Sequence, residues 1–152
     1  MKQIFDFKTG EEVKACLGKL PSLHDMVTCK ETLTEKTLEL EYSNGDTCLF
    51  EEYGYEKYKK VIVTFFFEDL DNQVVRVINR KKVKWYDLKE YIDLLHKKDM
   101  HLVDYYYTIP SWWSREIVFV YNTSSKKNRH DFDYEAEVRF DLTRIEYEWI
   151  EK

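Results

Sequence analysis

Residues 131–152 read DFDYEAEVRFDLTRIEYEWIEK, and apolar and charged side chains alternate along the first half of this stretch. The apolar positions are Phe132, Tyr134, Ala136, Val138, Phe140 and Leu142. The charged positions between them are Asp133, Glu135, Glu137, Arg139 and Asp141. An alternation of period 2 places the two sets on opposite faces of a β-strand. We therefore expect an antiparallel sheet with one face on a core and one charged face in water.

The charged face of this strand is acidic. Residues 131–152 hold eight acidic and three basic residues, and the resulting net charge of −5 equals that of the whole 152-residue chain. Rows of carboxylates on an exposed sheet speed the encounter with a basic protein and set specificity, so this face is a candidate docking surface. The alternative is an ordinary solvated sheet face. The candidate binding residues are Glu135, Glu137, Asp141, Glu146 and Glu148, with Glu39 and Glu41 added if their strand pairs with this one.

The phase of the alternation changes after Leu142. Ile145, Tyr147 and Trp149 alternate among themselves, but out of phase with Leu142. Leu142, Ile145 and Trp149 also fit one stripe of a helix. The sequence leaves residues 143–150 as either strand or helix.

Two short helices are predicted, and each begins with a capping box. Thr9 and Glu12 form the first box, and Pro21 ends that helix. Asp87 and Glu90 form the second box. Each helix has one apolar stripe with i, i+3, i+4, i+7 spacing. The stripes are Val13, Cys16, Leu17 and Leu20 in the first helix and Leu88, Tyr91, Ile92 and Leu95 in the second.

The remaining β-prone segments complete the predicted sheet. They are residues 3–7, 26–32, 37–42, 47–53, 59–67, 72–79, 83–86, 102–109 and 115–121, with a polar loop over 122–129. Residues 59–67 are apolar on both faces, which is typical of a central strand. The predicted fold is α+β, a mostly antiparallel twisted sheet of about seven to nine strands with two short helices packed on one face. One globular domain is expected to span residues 1–152.

The predicted core draws on both helices and on several strands. Its members are Val13, Leu17, Leu38, Leu40, Val63, Phe65, Leu88, Ile92, Leu95, Phe119, Val138 and Phe140.

Cysteine usage and hydropathy predict a cytoplasmic protein. Cys16, Cys29 and Cys48 are an odd number of cysteines without C-x-x-C spacing. The first residues, MKQIFDFKTGEE, lack the apolar segment of a signal peptide. No run approaches the roughly 20 apolar residues of a membrane helix. We expect no membrane association.

The sequence lacks the short motifs of the common enzyme classes. It has no G-x-S-x-G, G-x-x-x-x-G-K, G-x-G-x-x-G or H-E-x-x-H pattern, and only four glycines to build a phosphate-binding loop. We therefore favour a non-enzymatic function and expect no cofactor.

Two histidine–aspartate pairs support an alternative, enzymatic interpretation. His24 and Asp25, with His130 and Asp131, could form a base and its orienting carboxylate in a small hydrolase. Together with Asp133 they could also hold a metal ion. Both versions require the two segments to converge. The simpler interpretation is that His24 and Asp25 stabilise a turn, and no metal site is predicted.

Residues 79–84, NRKKVK, form a basic cluster next to Trp85 and Tyr86. Phosphate contact is one interpretation, and a solvated hairpin tip is the other. Strand alternation is expected to bury Trp85 away from Lys82 and Lys84, which makes nucleic-acid binding the third hypothesis. The candidate contacts would be Arg76, Arg80, Lys81, Lys82, Lys84 and Lys89.

Trp112 and Trp113 follow Pro110 in a predicted turn. Adjacent residues of a regular strand point to opposite sides, so both tryptophans cannot face the core. One of them is either an exposed anchor for a partner or a lid over the core.

The segment LPSLHDMVTCKETLTEKTLELEY, residues 20–42, resembles small bacterial proteins in which an L-H-D element opens a β-meander. Some of these are immunity proteins that neutralise polymorphic toxins. The match is carried by Leu23, His24 and Asp25, and it covers under a fifth of the chain. The resemblance implies a bacterial, cytosolic protein-binding function.

Overall fold

The computed structural model describes residues 1–17, 28–43, 54–68, 74–79, 82–97, 100–108, 115–125 and 134–152. These ranges contain β1 (Lys2–Asp6), α1 (Gly10–Leu17), β2 (Thr28–Leu33), β3 (Thr37–Ser43), β4 (Tyr58–Phe67), β5 (Val74–Asn79), β6 (Lys82–Asp87), α2 (Leu88–Lys97), β7 (Met100–Thr108), β8 (Glu116–Ser125) and β9 (Tyr134–Glu151). Every strand pair is antiparallel. The predicted sheet-dominated α+β class is confirmed, whereas the packing of both helices on one face stays a prediction.

The 18-residue strand β9 organises the sheet. Its first half pairs with β5 and β8, which gives the strand order β6-β5-β9-β8-β7. Its second half pairs with β4 and β1, which gives the order β2-β3-β4-β9-β1. The prediction that residues 59–67 form a central strand is confirmed, because β4 lies between β3 and β9.

A β-bulge explains the change of phase in the apolar pattern. Phe67 is opposite Leu142 and Phe66 is opposite Arg144, so Thr143 is the extra residue. The extra residue reverses the alternation, and both apolar series therefore face the same core. The buried positions are Ala136, Val138, Phe140 and Leu142 before the bulge and Ile145, Tyr147 and Trp149 after it. Residues 143–150 are strand, and the helical alternative is wrong.

The bulge is held by bonds from three neighbouring chain segments. The Leu142 amide donates to the Arg115 carbonyl at 3.0 Å, and the Phe7 amide donates to the Thr143 carbonyl at 2.9 Å. The Thr143 hydroxyl donates to the Phe66 carbonyl at 3.2 Å. We call Glu68, Arg115, Asp141, Leu142 and Thr143 the bulge junction.

Arg115 connects the side chains of the bulge junction. Its Nη2 lies 3.0 Å from Glu68 Oε2 and 2.9 Å from Asp141 Oδ2. Its Nη1 donates to the Phe7 carbonyl at 3.4 Å. One guanidinium thus links the ends of β1 and β4 to β9.

Most of the predicted core residues are buried. Val13, Leu38, Leu40, Val63, Phe65, Leu88, Val138 and Phe140 are buried, and Leu17, Ile92 and Leu95 pack partly buried against them. The side chain of Phe119 lies outside the described part of the chain. The prediction omitted an aromatic group at the end of β9, where Tyr55 stacks on Trp149 with 4.1 Å between ring centroids. The Trp149 indole donates to Gln3 Oε1 at 2.8 Å, which satisfies its buried N–H.

Both capping boxes are confirmed. The Glu12 amide donates to Thr9 Oγ1 at 3.3 Å, and Glu12 Oε2 accepts from the Thr9 amide at the same distance. The Glu90 amide donates to Asp87 Oδ1 at 2.7 Å, and the Asp87 amide donates back to Glu90 Oε2 at 3.1 Å. These reciprocal bonds satisfy amides that have no partner inside a helix.

Two local predictions are not confirmed. Residues 122–125 were expected in a loop but extend β8, because they continue its pairing with β7. The hairpin expected around residues 43–53 lies largely outside the described residues.

Candidate binding surface

The carboxylates predicted to form an acidic face share the side of the sheet opposite the core. We call this side the outer face. Cross-strand register aligns Glu135 with Ile78 and Glu137 with Arg76, while Glu146 is opposite Ile4. The outer-face carboxylates of β9 are Glu135, Glu137, Asp141, Glu146 and Glu148.

Ion pairs within the protein neutralise much of this face. Glu137 lies 3.6 Å from Arg76 and 3.0 Å from Arg139. Glu146 lies 2.7 Å from Lys2, and its side chain is only 15% exposed. Asp141 is held by Arg115, as described above. The acidic face is therefore a ladder of alternating charges, and its attraction for a distant basic partner is weaker than the sequence implies.

Glu135 and Glu148 differ from the other carboxylates of β9. Both are exposed, and within the described part of the chain neither makes an ion pair or side-chain hydrogen bond. Because neither is held in an ion pair, they are the carboxylates best able to meet a cation from another molecule.

Glu39 and Glu41 extend the outer face, although β3 does not pair with β9. β4 lies between them, and Glu39 and Glu146 are both opposite Thr64. Glu41 is paired with Lys60 at 2.9 Å. The acidic character thus spreads across three strands, with internal cations placed among the carboxylates.

Trp85 is exposed, and its expected burial is wrong. Its exposure is 63%, and that of Val83 on the same side of β6 is 47%. Trp85 is opposite Arg76, and Arg76 is opposite Glu137. Trp85 and Val83 therefore belong to the outer face. The physical reason is that Trp85 lies on the side of β6 that faces away from the core, opposite Arg76, whereas Tyr86 on the other side packs against the core. Alternation shows that Trp85 and the two lysines lie on opposite sides of β6, but it does not show which side faces the core.

The outer face is less exposed on the β8 side of β9 than on the β5 side. Val118 and Val120, opposite Arg139 and Glu137, are buried. The accessible part of the outer face near Trp85 therefore consists of β6, β5 and β9.

Hydrogen bonding fixes the position of one cation on the outer face. Arg144 Nε donates to Asp6 Oδ1 at 2.6 Å. This bond, with the nearby Asp6 charge, raises the pKa of Arg144. Arg144 also lies 3.5 Å from Glu146, which links β1 to two positions on β9.

Several predicted site residues lie outside the described ranges. They are His24, Asp25, Trp112, Trp113, His130 and Asp131. The convergence that a hydrolase or metal site needs is thus not described.

In the described ranges, no cluster of three His, Cys, Asp or Glu side chains could hold a metal ion. No helix in those ranges is long and apolar enough to cross a membrane.

Comparison of the chain with protein-family models, with curated proteins and with solved structures returns no match. The function is therefore inferred from the geometry of the outer face.

Proposed function

We propose that this protein is a non-enzymatic protein-binding module whose contact surface is the outer face of the sheet. The exposed Trp85, placed beside Val83 on a regular strand, is the observation that supports this most strongly. Tryptophan and arginine dominate the energetically important centres of protein interfaces, and Arg76 is the cross-strand neighbour of Trp85. The paired strands fix the backbone that carries these side chains, so only side-chain order has to be gained on binding.

The chemistry of the outer face favours a partner with basic groups at the rim of the contact. Glu135 and Glu148 are the exposed carboxylates that such groups would meet. Together with the resemblance at Leu23, His24 and Asp25, this supports an inhibitor or immunity-type function in the bacterial cytoplasm. The partner would then be a toxin carrying a basic surface.

Charge reversal on two surfaces tests the proposed function. Glu135→Lys with Glu148→Lys should lower the amount of partner captured from source-cell lysate at least about tenfold, because two attractive contacts become repulsive. The matched control is Glu11→Lys with Glu56→Lys, which changes the net charge equally at exposed sites that belong to no strand of the sheet. Equal capture by both double variants, measured by quantitative mass spectrometry, would refute the outer face as the contact surface.

Nucleic-acid binding is a second candidate, and the exposure of Trp85 is the observation that favours it. A solvent-exposed indole can stack on a base, and Lys82 and Lys84 are exposed on the same strand. It ranks second because Arg76 is engaged by Glu137, and Glu135 and Glu137 would repel phosphates. A gel shift at low salt that disappears when Lys82 and Lys84 become alanine would reverse this order.

A further inference from the structure

The backbone of β6 has one side that no described strand occupies. Asn79 and Lys82 are the last paired residues of the β5–β6 hairpin, with two residues between them. Hydrogen-bonded and non-hydrogen-bonded pairs then alternate along the two strands. In a two-residue hairpin the closing pair is hydrogen-bonded, so Lys82, Lys84 and Tyr86 direct their amides and carbonyls toward β5. Val83 and Trp85 direct theirs to the opposite side.

The far ladder agrees with this assignment. The Leu142 amide of β9 bonds the Arg115 carbonyl beside β8, so by alternation Glu135 and Glu137 direct their backbone groups toward β5, where they are opposite Ile78 and Arg76. The Asp87 amide, which has the same parity as Val83 and Trp85, is used by the Glu90 carboxylate of the capping box. Among the residues that the structure describes, nothing pairs with the two amides and two carbonyls of Val83 and Trp85 on this edge.

The side chains along this edge give it a chemical preference. Lys82 and Lys84 are exposed and have no carboxylate partner within the described residues. They lie on one face of β6, while Val83 and Trp85 lie on the other. A strand added at this edge would therefore meet two cations on one of its faces and two apolar groups on the other.

We propose that the edge of β6 binds an extended peptide segment of a partner protein, in which acidic and apolar residues alternate. The segment adds to the sheet as a further strand, with its backbone bonded to Val83 and Trp85. Its acidic side chains lie beside Lys82 and Lys84, and its apolar side chains cover Trp85. This mode of binding rests on the proposed function. It uses the backbone of β6, however, and not the carboxylates of β9, so the two can be tested separately.

A second copy of this chain does not fit the same edge. Antiparallel pairing of two β6 strands centred on Lys84 places Lys84 opposite its own copy. Pairing centred on Val83 places Lys82 opposite Lys84. Pairing centred on Trp85 brings no lysines together, but it sets Val83 opposite Asp87, whose amide is already bonded to Glu90. Like charges opposite each other destabilise a strand pair, so the lysines select against self-association while favouring an acidic segment.

A labelled peptide, acetyl-Glu-Val-Glu-Phe-Glu-Val-Glu-amide, is the probe. Fluorescence anisotropy should show saturable binding to the protein, and exchange of Lys for every Glu in the peptide should abolish it. Val83→Pro removes one edge amide without touching the β5 ladder, so it should weaken binding about tenfold. Val83→Ala is the matched control for loss of the side chain and should weaken binding less.

Amide hydrogen exchange separates this mode from a surface contact. The Val83 and Trp85 amides should exchange fast in the protein alone and slow down with bound peptide, while the Lys84 amide is protected in both states. If Val83→Pro fails to fold by circular dichroism, a peptide N-methylated at alternate residues replaces it and should not bind.

Four results would overturn the inference: no binding at millimolar peptide, equal binding by Val83→Pro and Val83→Ala, self-association of the protein that Val83→Pro removes, or binding of single-stranded DNA in place of the peptide. If the peptide result is negative while the Glu135 and Glu148 reversal still abolishes capture, the proposed function stands without this mode of binding.

Discussion

Arg115 holds the bulge junction through a part-buried contact with Asp141 and a more exposed one with Glu68. Its side chain is 21% exposed, and it bonds Glu68, Asp141 and the Phe7 carbonyl together. Charge-assisted bonds to several partners in a shielded place stabilise a fold more than a single surface ion pair does. Arg139, which is 55% exposed and bonds Glu116 and Glu137, is a comparison residue on the same sheet.

Arg115→Ala should therefore lower the free energy of unfolding by about 1–3 kcal/mol, because it leaves two carboxylates and a carbonyl without their donor. Arg139→Ala should change it by no more than about 1 kcal/mol. Urea denaturation of both variants measures the difference. Equal losses would contradict a special structural role for Arg115.

Tyr91 gives the stability a dependence on alkaline pH. It is buried on α2, and burial raises the pKa of its hydroxyl, with the Glu31 charge adding to the shift. The folded pKa is above the unfolded value of about 10, so the unfolded chain ionises first as pH rises. The stabilising contribution is complete below pH 10 and decreases above it.

We expect the free energy of unfolding to fall above pH 10 by up to about 1.4 kcal/mol per pH unit through this one residue. Tyr91→Phe should remove that part of the slope and leave the slope below pH 9 unchanged. Denaturation curves between pH 8 and 11 for both proteins provide the measurement. Parallel pH profiles would show that Tyr91 ionises in the folded protein.

The bulge in β9 is the element that joins the two halves of the sheet. Thr143 is the extra residue, and the apolar series on either side of it face one core only because it is there. A slip of one residue moves every side chain of a strand to the opposite face. The length of the chain at this point is therefore more important than the identity of the side chain.

Deletion of Thr143 should abolish stable folding, because Ile145, Tyr147 and Trp149 would be directed to the outer face. Thr143→Ala keeps the number of residues and removes only the hydroxyl bond to Phe66, so it should cost about 1 kcal/mol. Thermal unfolding followed by circular dichroism distinguishes the two. A deletion variant as stable as Thr143→Ala would contradict the role assigned to the bulge.

Elements set by local signals could be predicted from the sequence, and so could the central position of β4, which is apolar on both faces. The neighbours of the other strands could not. The capping boxes at Thr9 and Asp87 depend on residues three apart, and the period-2 pattern before Leu142 depends on nearest neighbours. The phase change after Leu142 was visible in the sequence. A bulge and a helix produce the same pattern, however, and they cannot be told apart unless the partner strand is known. Pairing of Leu142 with Phe67 decides between them.

At the scale of the whole molecule, the features of the candidate surface that depend on one strand were predictable, and those that depend on neighbouring strands were not. Alternation correctly placed Glu135 and Glu137 on one face, because that depends on β9 alone. The ion pair of Glu137 with Arg76 depends on which strands are neighbours, and the exposure of Trp85 depends on which side of β6 faces the core. The acidic excess of residues 131–152 therefore overstated the charge of the surface, and the burial expected for Trp85 was wrong.

Site-specific photo-crosslinking tests most directly whether the outer face binds a protein. A benzophenone amino acid in place of Trp85, irradiated in source cells, should give a discrete crosslinked product of higher mass. The same group in place of Glu11, an exposed position on α1, should give none. Identical product patterns from the two positions, or no product from position 85 at normal expression, would contradict binding through the outer face.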